Sequence, residues 1–290
     1  MGEIKLKYTN QHSRFLDIDH ALVHYRDEGQ GPPILLLHGT FASLHTFDGW
    51  VDELKSSYRL IRLDLPGFGL SEVTEDHVYS MERYLDVIKT LLDELGLDRV
   101  TIAGSSLGGW LAWEFALDFP DLVERLILID AAGVEIHRHI PLPVRLARLP
   151  FATKFAPLFI NRPVIKHFIQ EVYADPSKIN PAVIDRYYEL FAREGNPEAF
   201  LSIVNSKFED RAHELPRIQA PTMIIWGEKD RWLPLSNAYH FLNVLPQAKL
   251  IIYEDLGHIP MEEAPKETAE DVKEFMQEFQ YPMNSQRYAS

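Results

Sequence analysis

A short apolar run, Val100 to Ala103, breaks through Gly104-Ser105-Ser106-Leu107-Gly108 into a helix-like stretch from Trp110 to Phe119. This G-x-S-x-G pattern dictates a strand, a tight turn and a helix in one step, and it lifts the central serine clear of the backbone. Ser106 is thereby a candidate nucleophile. The segments around it keep the same rhythm. Ala21 to Tyr25 reads as an edge strand, Ile34 to Leu37 and Arg59 to Leu63 as apolar strands, and Leu126 to Ile129 as another. Met81 to Leu95 is amphipathic and is closed by Gly96, a helix C-terminal signal. Strands alternating with helices in this way predict an α/β fold, a mainly parallel central sheet with helices on both faces.

The alternation stops at Gly133. From there to Arg211 the chain shows helix-like pieces punctuated by Pro141, Pro143, Pro150, Pro157, Pro163, Pro176, Pro181 and Pro197, with no convincing strand. Strand signals return at Thr222 to Trp226 and Ala248 to Tyr253. The expected organisation is a core made of residues 1–132 and 212–280, an all-helical lid at 133–211 over the C-terminal edge of the sheet, and a flexible tail at 281–290. Phe151, Phe155, Phe159 and Phe168 recur at near-helical spacing in the lid, as a packed face that can also line a substrate pocket. The lid is basic between Gly133 and Gln170, where Arg138, Arg145, Arg148, Lys154, Arg162 and Lys166 stand against Glu135. A solvated face accounts for that excess, or a field that attracts anions.

Composition closes off other classes. A formal charge of −14 argues against general affinity for nucleic acid or anionic membranes. There is no cysteine, hence no thiolate metal site and no cysteine nucleophile. No apolar run is long enough to span a bilayer and Met1 to Asn10 is not a signal sequence, so a cytoplasmic location is expected. His137-Arg138-His139 lacks the further ligands of a metal site, and no dinucleotide or phosphate-loop fingerprint follows a strand. Neither a metal nor a cofactor is expected.

A serine hydroxyl is a poor nucleophile near neutral pH and needs a base; an imidazole suits that task, and its second nitrogen needs an acceptor to fix the tautomer. Downstream of Ser106 come Asp230, in Trp226-Gly227-Glu228-Lys229-Asp230, and His258, in Leu256-Gly257-His258. These are the acid and base candidates, with Glu228 and Asp130 as competing acids.

With His38-Gly39-Thr40-Phe41 after a buried strand, Asp64-Leu65-Pro66-Gly67-Phe68-Gly69, the serine turn and the paired acid and histidine loops, the chain resembles the α/β-hydrolase family over nearly its whole length. The resemblance implies a Ser106-His258-Asp230 triad and an oxyanion hole of two backbone N–H groups, those of Leu107 and Thr40, with Phe41 as the fallback for the second. His38-Gly39 would brace that loop, and Ser105 would be a packing or hydrogen-bonding neighbour of the nucleophile. Phe41, Ser105, Phe151, Phe155 and Phe159 are the candidate substrate contacts. The expected activity is hydrolysis of a small-molecule carboxylic ester through an acyl-enzyme. Two alternatives remain: carbon–carbon hydrolysis of ring-fission products, whose enzymes usually carry a glycine-rich oxyanion loop and an asparagine where this chain has Ser105, and a non-catalytic binding protein on the same fold. Haloalkane dehalogenases and epoxide hydrolases carry an aspartate at the serine's position, which counts against both. The oligomeric state stays open.

Overall fold

The computed structural model describes residues 2–74, 76–134, 148 and 161–278. Its centre is an eight-stranded sheet: β1 (Ser13–Ile18), β2 (Ala21–Gly29), β3 (Pro33–Leu37), β4 (Arg59–Leu63), β5 (Val100–Ser105), β6 (Val123–Ile129), β7 (Thr222–Gly227) and β8 (Ala248–Tyr253). The spatial order is β1-β2-β4-β3-β5-β6-β7-β8. β1 and β2 pair antiparallel, as do β2 and β4, and every other pair is parallel. Ala21 to Tyr25 is therefore not an edge strand. β1 covers it, with Ser13 opposite Arg26 and Ile18 opposite Ala21, which explains why Val23 and His24 are both buried.

The inner strands are largely apolar because each face has its own core. Leu35, Leu37, Ile61, Leu63, Ile102, Leu126, Leu128, Ile224 and Trp226 join one cluster, and Ile34, Leu36, Leu60, Ala103, Ile127, Ile129, Met223 and Ile225 the other. This is the alternation of a pleated strand buried on both sides. The first cluster is covered by α3 (Met81–Glu94), by α4 (Leu107–Asp118), which contributes Leu111, Trp113 and Phe115, and by α8 (Leu235–Val244), which contributes Phe241. The second is covered by α2 (Asp48–Leu54), with Trp50 and Leu54, and by α10 (Pro265–Glu278), with Val272 and Phe275. Each of these side chains, fully buried, contributes roughly 1.5–3 kcal/mol relative to exposure.

Among the described residues between β6 and β7 the regular elements are helical: α5 (Arg162–Val172), α6 (Pro181–Phe191) and α7 (Asn196–Asn205), with short 3₁₀ turns at Pro176–Lys178 and Ala212–Arg217. Three of the prolines are not helix breakers here; Pro163, Pro181 and Pro197 sit in the first turns of these helices, where the missing N–H costs nothing. Asn161 and Asn180 cap α5 and α6, accepting hydrogen bonds from Val164 N–H and Val183 N–H. The block rests on the second core through Ile165, Ile169, Val172 and Ile184. An N-terminal helix, α1 (Gly2–Tyr8), unanticipated in the sequence, packs Tyr8 against Leu70 and Leu190.

Candidate active site

Every candidate catalytic group stands on a loop that leaves the C-terminal end of a parallel strand: Thr40 after β3, Ser106 after β5, Asp130 after β6, Asp230 after β7 and His258 after β8. This is the edge at which open α/β sheets bind ligands.

Ser106 is both the last residue before α4 and a left-handed residue, with φ 54° and ψ −116°. A non-glycine residue held there carries strain of order 1–3 kcal/mol, sustained only by surrounding structure. That structure is visible. Ser106 N–H donates to Ile129 C=O at 3.0 Å, and its own carbonyl accepts from Trp110 N–H and Ala132 N–H, each at 3.0 Å. The flanking glycines are required by close approach. A Cβ on Gly104 would lie 2.1 Å from the Gly108 carbonyl oxygen, and one on Gly108 would lie 2.1 Å from that of Leu37. The helix begins at Leu107, earlier than the helix-like stretch from Trp110 suggests. Leu107 is thus its first residue, where backbone N–H groups have no intrahelical acceptor.

His258 is buried, and its Nδ1 lies 2.7 Å from Asp230 Oδ2. The other Asp230 oxygen accepts from Trp232 N–H at 2.7 Å and Leu233 N–H at 3.1 Å, so the carboxylate is held from both sides. An acceptor on Nδ1 places the imidazole proton there and leaves Nε2 as the basic atom. Nε2 makes no hydrogen bond; it belongs to a residue that lines a cavity with Ser106. Glu228 is exposed, and its N–H donates to Tyr253 C=O. Asp130, by contrast, is buried beside the pair: one ligand atom each from Asp130, Asp230 and His258 lie within 4.8 Å of one another.

Thr40, Phe41, Ser105 and Ser106 all line that cavity, and Phe41 is left-handed at φ 67°. The loop before them is braced by His38, whose Nδ1–H donates to Gly39 C=O at 2.8 Å while Nε2 accepts from Leu65 N–H at 3.0 Å. Complete burial pushes the His38 imidazole below its usual range; it is a neutral strut. Ser105 Oγ is buried without a hydrogen-bond partner, so the residue packs rather than bonds. Phe151, Phe155 and Phe159 fall outside the described residues, as do Glu135, His137, Arg138, His139, Arg145 and Lys154. Phe168 lines the cavity and packs on Phe41 with ring centroids 5.4 Å apart. Of the basic lid residues, Arg162 is paired with Asp185 at 2.6 Å and Arg148 donates to Val204 C=O at 3.1 Å.

Other lining residues were not legible beforehand, because only the tertiary fold brings them in: Thr46, Ile169, Val172, Tyr187, Trp232 and Met261. Trp232 stands against the His258 ring at 5.3 Å. Glu262, on α9 (Pro260–Glu263) just beyond the histidine loop, accepts from Thr46 Oγ1 at 2.7 Å, Tyr173 OH at 2.9 Å and Tyr187 OH at 3.0 Å, and it pairs with Arg186. Glu263 accepts from the N–H groups of Gly257 and Ala174, while His258 N–H donates to Val172 C=O at 2.8 Å. The inserted helical block and the histidine loop are therefore one hydrogen-bonded unit.

Known proteins agree with this architecture. The family model described as alpha/beta hydrolase fold matches residues 32–265. An uncharacterised protein of Mycobacterium tuberculosis is 31% identical over 269 residues, covering 87% of this chain and 77% of its own length. The 2-hydroxy-6-oxo-6-phenylhexa-2,4-dienoate hydrolase of Comamonas testosteroni is 27% identical over 258 residues, covering 83% and 86%. Among solved structures, a membrane phospholipase A described as a bacterial virulence factor superposes with a TM-score of 0.79 at 28% identity, over 92% of this chain and 86% of its own. With its strand order, its serine turn and a family match across four fifths of its length, the chain belongs to the α/β-hydrolase fold family and is a hydrolase.

Proposed function

We propose that the protein hydrolyses carboxylic esters through an acyl-enzyme on Ser106, without metal or cofactor. The observation that carries this is the Asp230–His258 hydrogen bond beside a cavity lined by both His258 and Ser106. His258 Nε2 takes the Ser106 hydroxyl proton as Oγ attacks the ester carbonyl, and the new imidazolium is stabilised by Asp230. The tetrahedral oxyanion is received by the N–H groups of Leu107 and Thr40, worth about 3 kcal/mol or more of barrier. Collapse breaks the ester C–O bond, and His258 returns the proton to the leaving alkoxide. Water, deprotonated by His258, then attacks the acyl-enzyme and releases the acid. Residues 133–211 serve as a lid over this edge of the sheet.

The lining supports an ester rather than a ring-fission substrate. Among the described residues lining the cavity there is no lysine or arginine, and most are apolar. A dienoate carries a carboxylate, which needs a cation or several donors once desolvated. The nearby Arg186 is already neutralised by Glu262. The carbon–carbon reading keeps one support, the similarity to the Comamonas enzyme. A fluorophosphonate should label the native protein and leave Ser106→Ala unlabelled. An ester series of graded acyl length, run beside a ring-fission diketone, should show turnover of esters and at least tenfold lower kcat/KM for the diketone, a gap of about 1.4 kcal/mol in transition-state binding. Faster turnover of the diketone would reverse the assignment, and labelling of the Ser106→Ala variant would remove it.

A further inference from the structure

A second carboxyl group lies beside the proposed triad with no role in it. Asp130 immediately follows β6, is 0% exposed, and has left-handed backbone at φ 40°. Its Oδ1 accepts from Gly227 N–H at 3.1 Å, at the root of the loop that carries Asp230. No N–H or hydroxyl reaches Oδ2, although that atom is buried. Asp230 uses Oδ1 for two backbone N–H groups and Oδ2 for His258. Two ionised carboxylates this close and this dry repel strongly, and such a pair retains one proton.

We propose that Asp130 and Asp230 form a carboxyl pair carrying a single negative charge, in which Asp130 is a neutral acid whose O–H donates to Asp230 and so positions it for His258. The charged and titratable groups facing Asp130 are Asp230, His258 and Glu263. Burial first, and then the Asp230 charge, push the Asp130 carboxyl well above the usual carboxylate range; the Gly227 N–H opposes them and is outweighed. The inference rests on the triad reading and adds a positioning residue to it. The consequence is redundancy: with the Asp230 charge removed, the repulsion that keeps Asp130 protonated is gone, and Asp130 can ionise next to the imidazolium.

The test is a double-mutant cycle on ester turnover with pH profiles. Asp130→Asn keeps a neutral donor beside Asp230, so kcat should fall by no more than about threefold with the acid limb of kcat/KM unmoved; in an Asp230→Asn background the same change should cost about tenfold or more. Asp130→Leu removes the donor, leaves Asp230 a stronger base for His258, and should move the acid limb to higher pH. Equal costs of Asp130→Asn in both backgrounds, or an acid limb displaced to lower pH by Asp130→Asn alone, would overturn the proposal. Infrared spectra of the wild type with isotope-labelled aspartate carboxyls need no variant. A neutral aspartic acid C=O band at neutral pH supports the pair, and its absence overturns it. That band is independent of turnover, so failure of the triad reading, seen as full activity in Ser106→Ala, is distinguishable from failure of the carboxyl pair.

Discussion

At the scale of single residues, Ser106 is held in strained backbone by two donors to its carbonyl and one acceptor for its N–H, an investment that only the side chain's position explains. Ser106→Ala should therefore lower ester kcat by about a million-fold, or to the assay floor, with the circular dichroism unchanged. Ser105→Ala, which removes a hydroxyl without partners, should retain most activity. The opposite pattern would identify the wrong serine. Asp230→Asn should cost up to about ten-thousand-fold in kcat, because the amide can favour the wrong imidazole tautomer, and less in proportion as Asp130 ionises in its place. Glu228→Gln, on an exposed side chain, should cost less than about twofold, within the reach of surface changes. These assignments were legible in the sequence because nucleophile, acid and base each lie just beyond a strand-like run, and strand ends meet at one edge of a parallel sheet. Asp130 also follows a strand directly, but its approach to Asp230 depends on the separation of neighbouring loops, which no one-dimensional pattern encodes.

At the scale of elements, the inner strands were legible because short, largely apolar runs have few homes other than a sheet buried on both faces. The outer ones were not. β1, Ser-Arg-Phe-Leu-Asp-Ile, buries only Ile18 fully, and its existence depends on pairing with β2. α1 has seven residues, too few to be stable alone, and is fixed by Tyr8, by the Lys7–Glu189 pair and by Leu190 of α6. The helical block shows what the proline pattern left open, since some of its prolines start helices. Its attachment passes through Glu262, whose two oxygens satisfy three hydroxyls and the Arg186 guanidinium. Glu262→Ala leaves a largely buried arginine without its counterion, a loss of about 3–5 kcal/mol. We expect the urea midpoint to fall accordingly, and KM to rise, because Thr46 and Tyr187 line the cavity and lose their common acceptor. A shift of the midpoint below about 1 kcal/mol equivalent would mean that the apolar contacts alone seat the block.

At the scale of the whole molecule, a chain with 43 acidic and 29 basic residues has its pH dependence of stability set by the few buried acids. They pull in opposite directions. Burial raises the Asp64 carboxyl, but the hydrogen bond and charge of His24, with Leu70 N–H, outweigh it and hold the group well below its usual range. Its contribution is present above the unfolded carboxylate value of about 4 and is lost as pH falls through the lower folded value. Glu114 behaves conversely. It lies on α4, 0% exposed, accepting from Trp110 Nε1 at 3.1 Å and from Arg211 at 2.8 Å. Burial outweighs both partners and pushes the carboxyl up from 4.5 to about 7. A raised folded value means that the associated stability is complete below the unfolded pKa and disappears as pH rises through about 7. The loss between mildly acidic and mildly alkaline pH is on the order of 3 kcal/mol. Gln at this position is neutral at every pH, and its single amide oxygen keeps one of the two acceptor contacts, to Trp110 or to Arg211. Denaturant titrations should therefore find the wild type distinctly more stable at about pH 5 than at about pH 8, and Glu114→Gln should remove its own share of that slope, leaving the share that the raised Asp130 carboxyl contributes. An equally steep slope in Glu114→Gln would assign the pH dependence to other groups, Asp130 first among them.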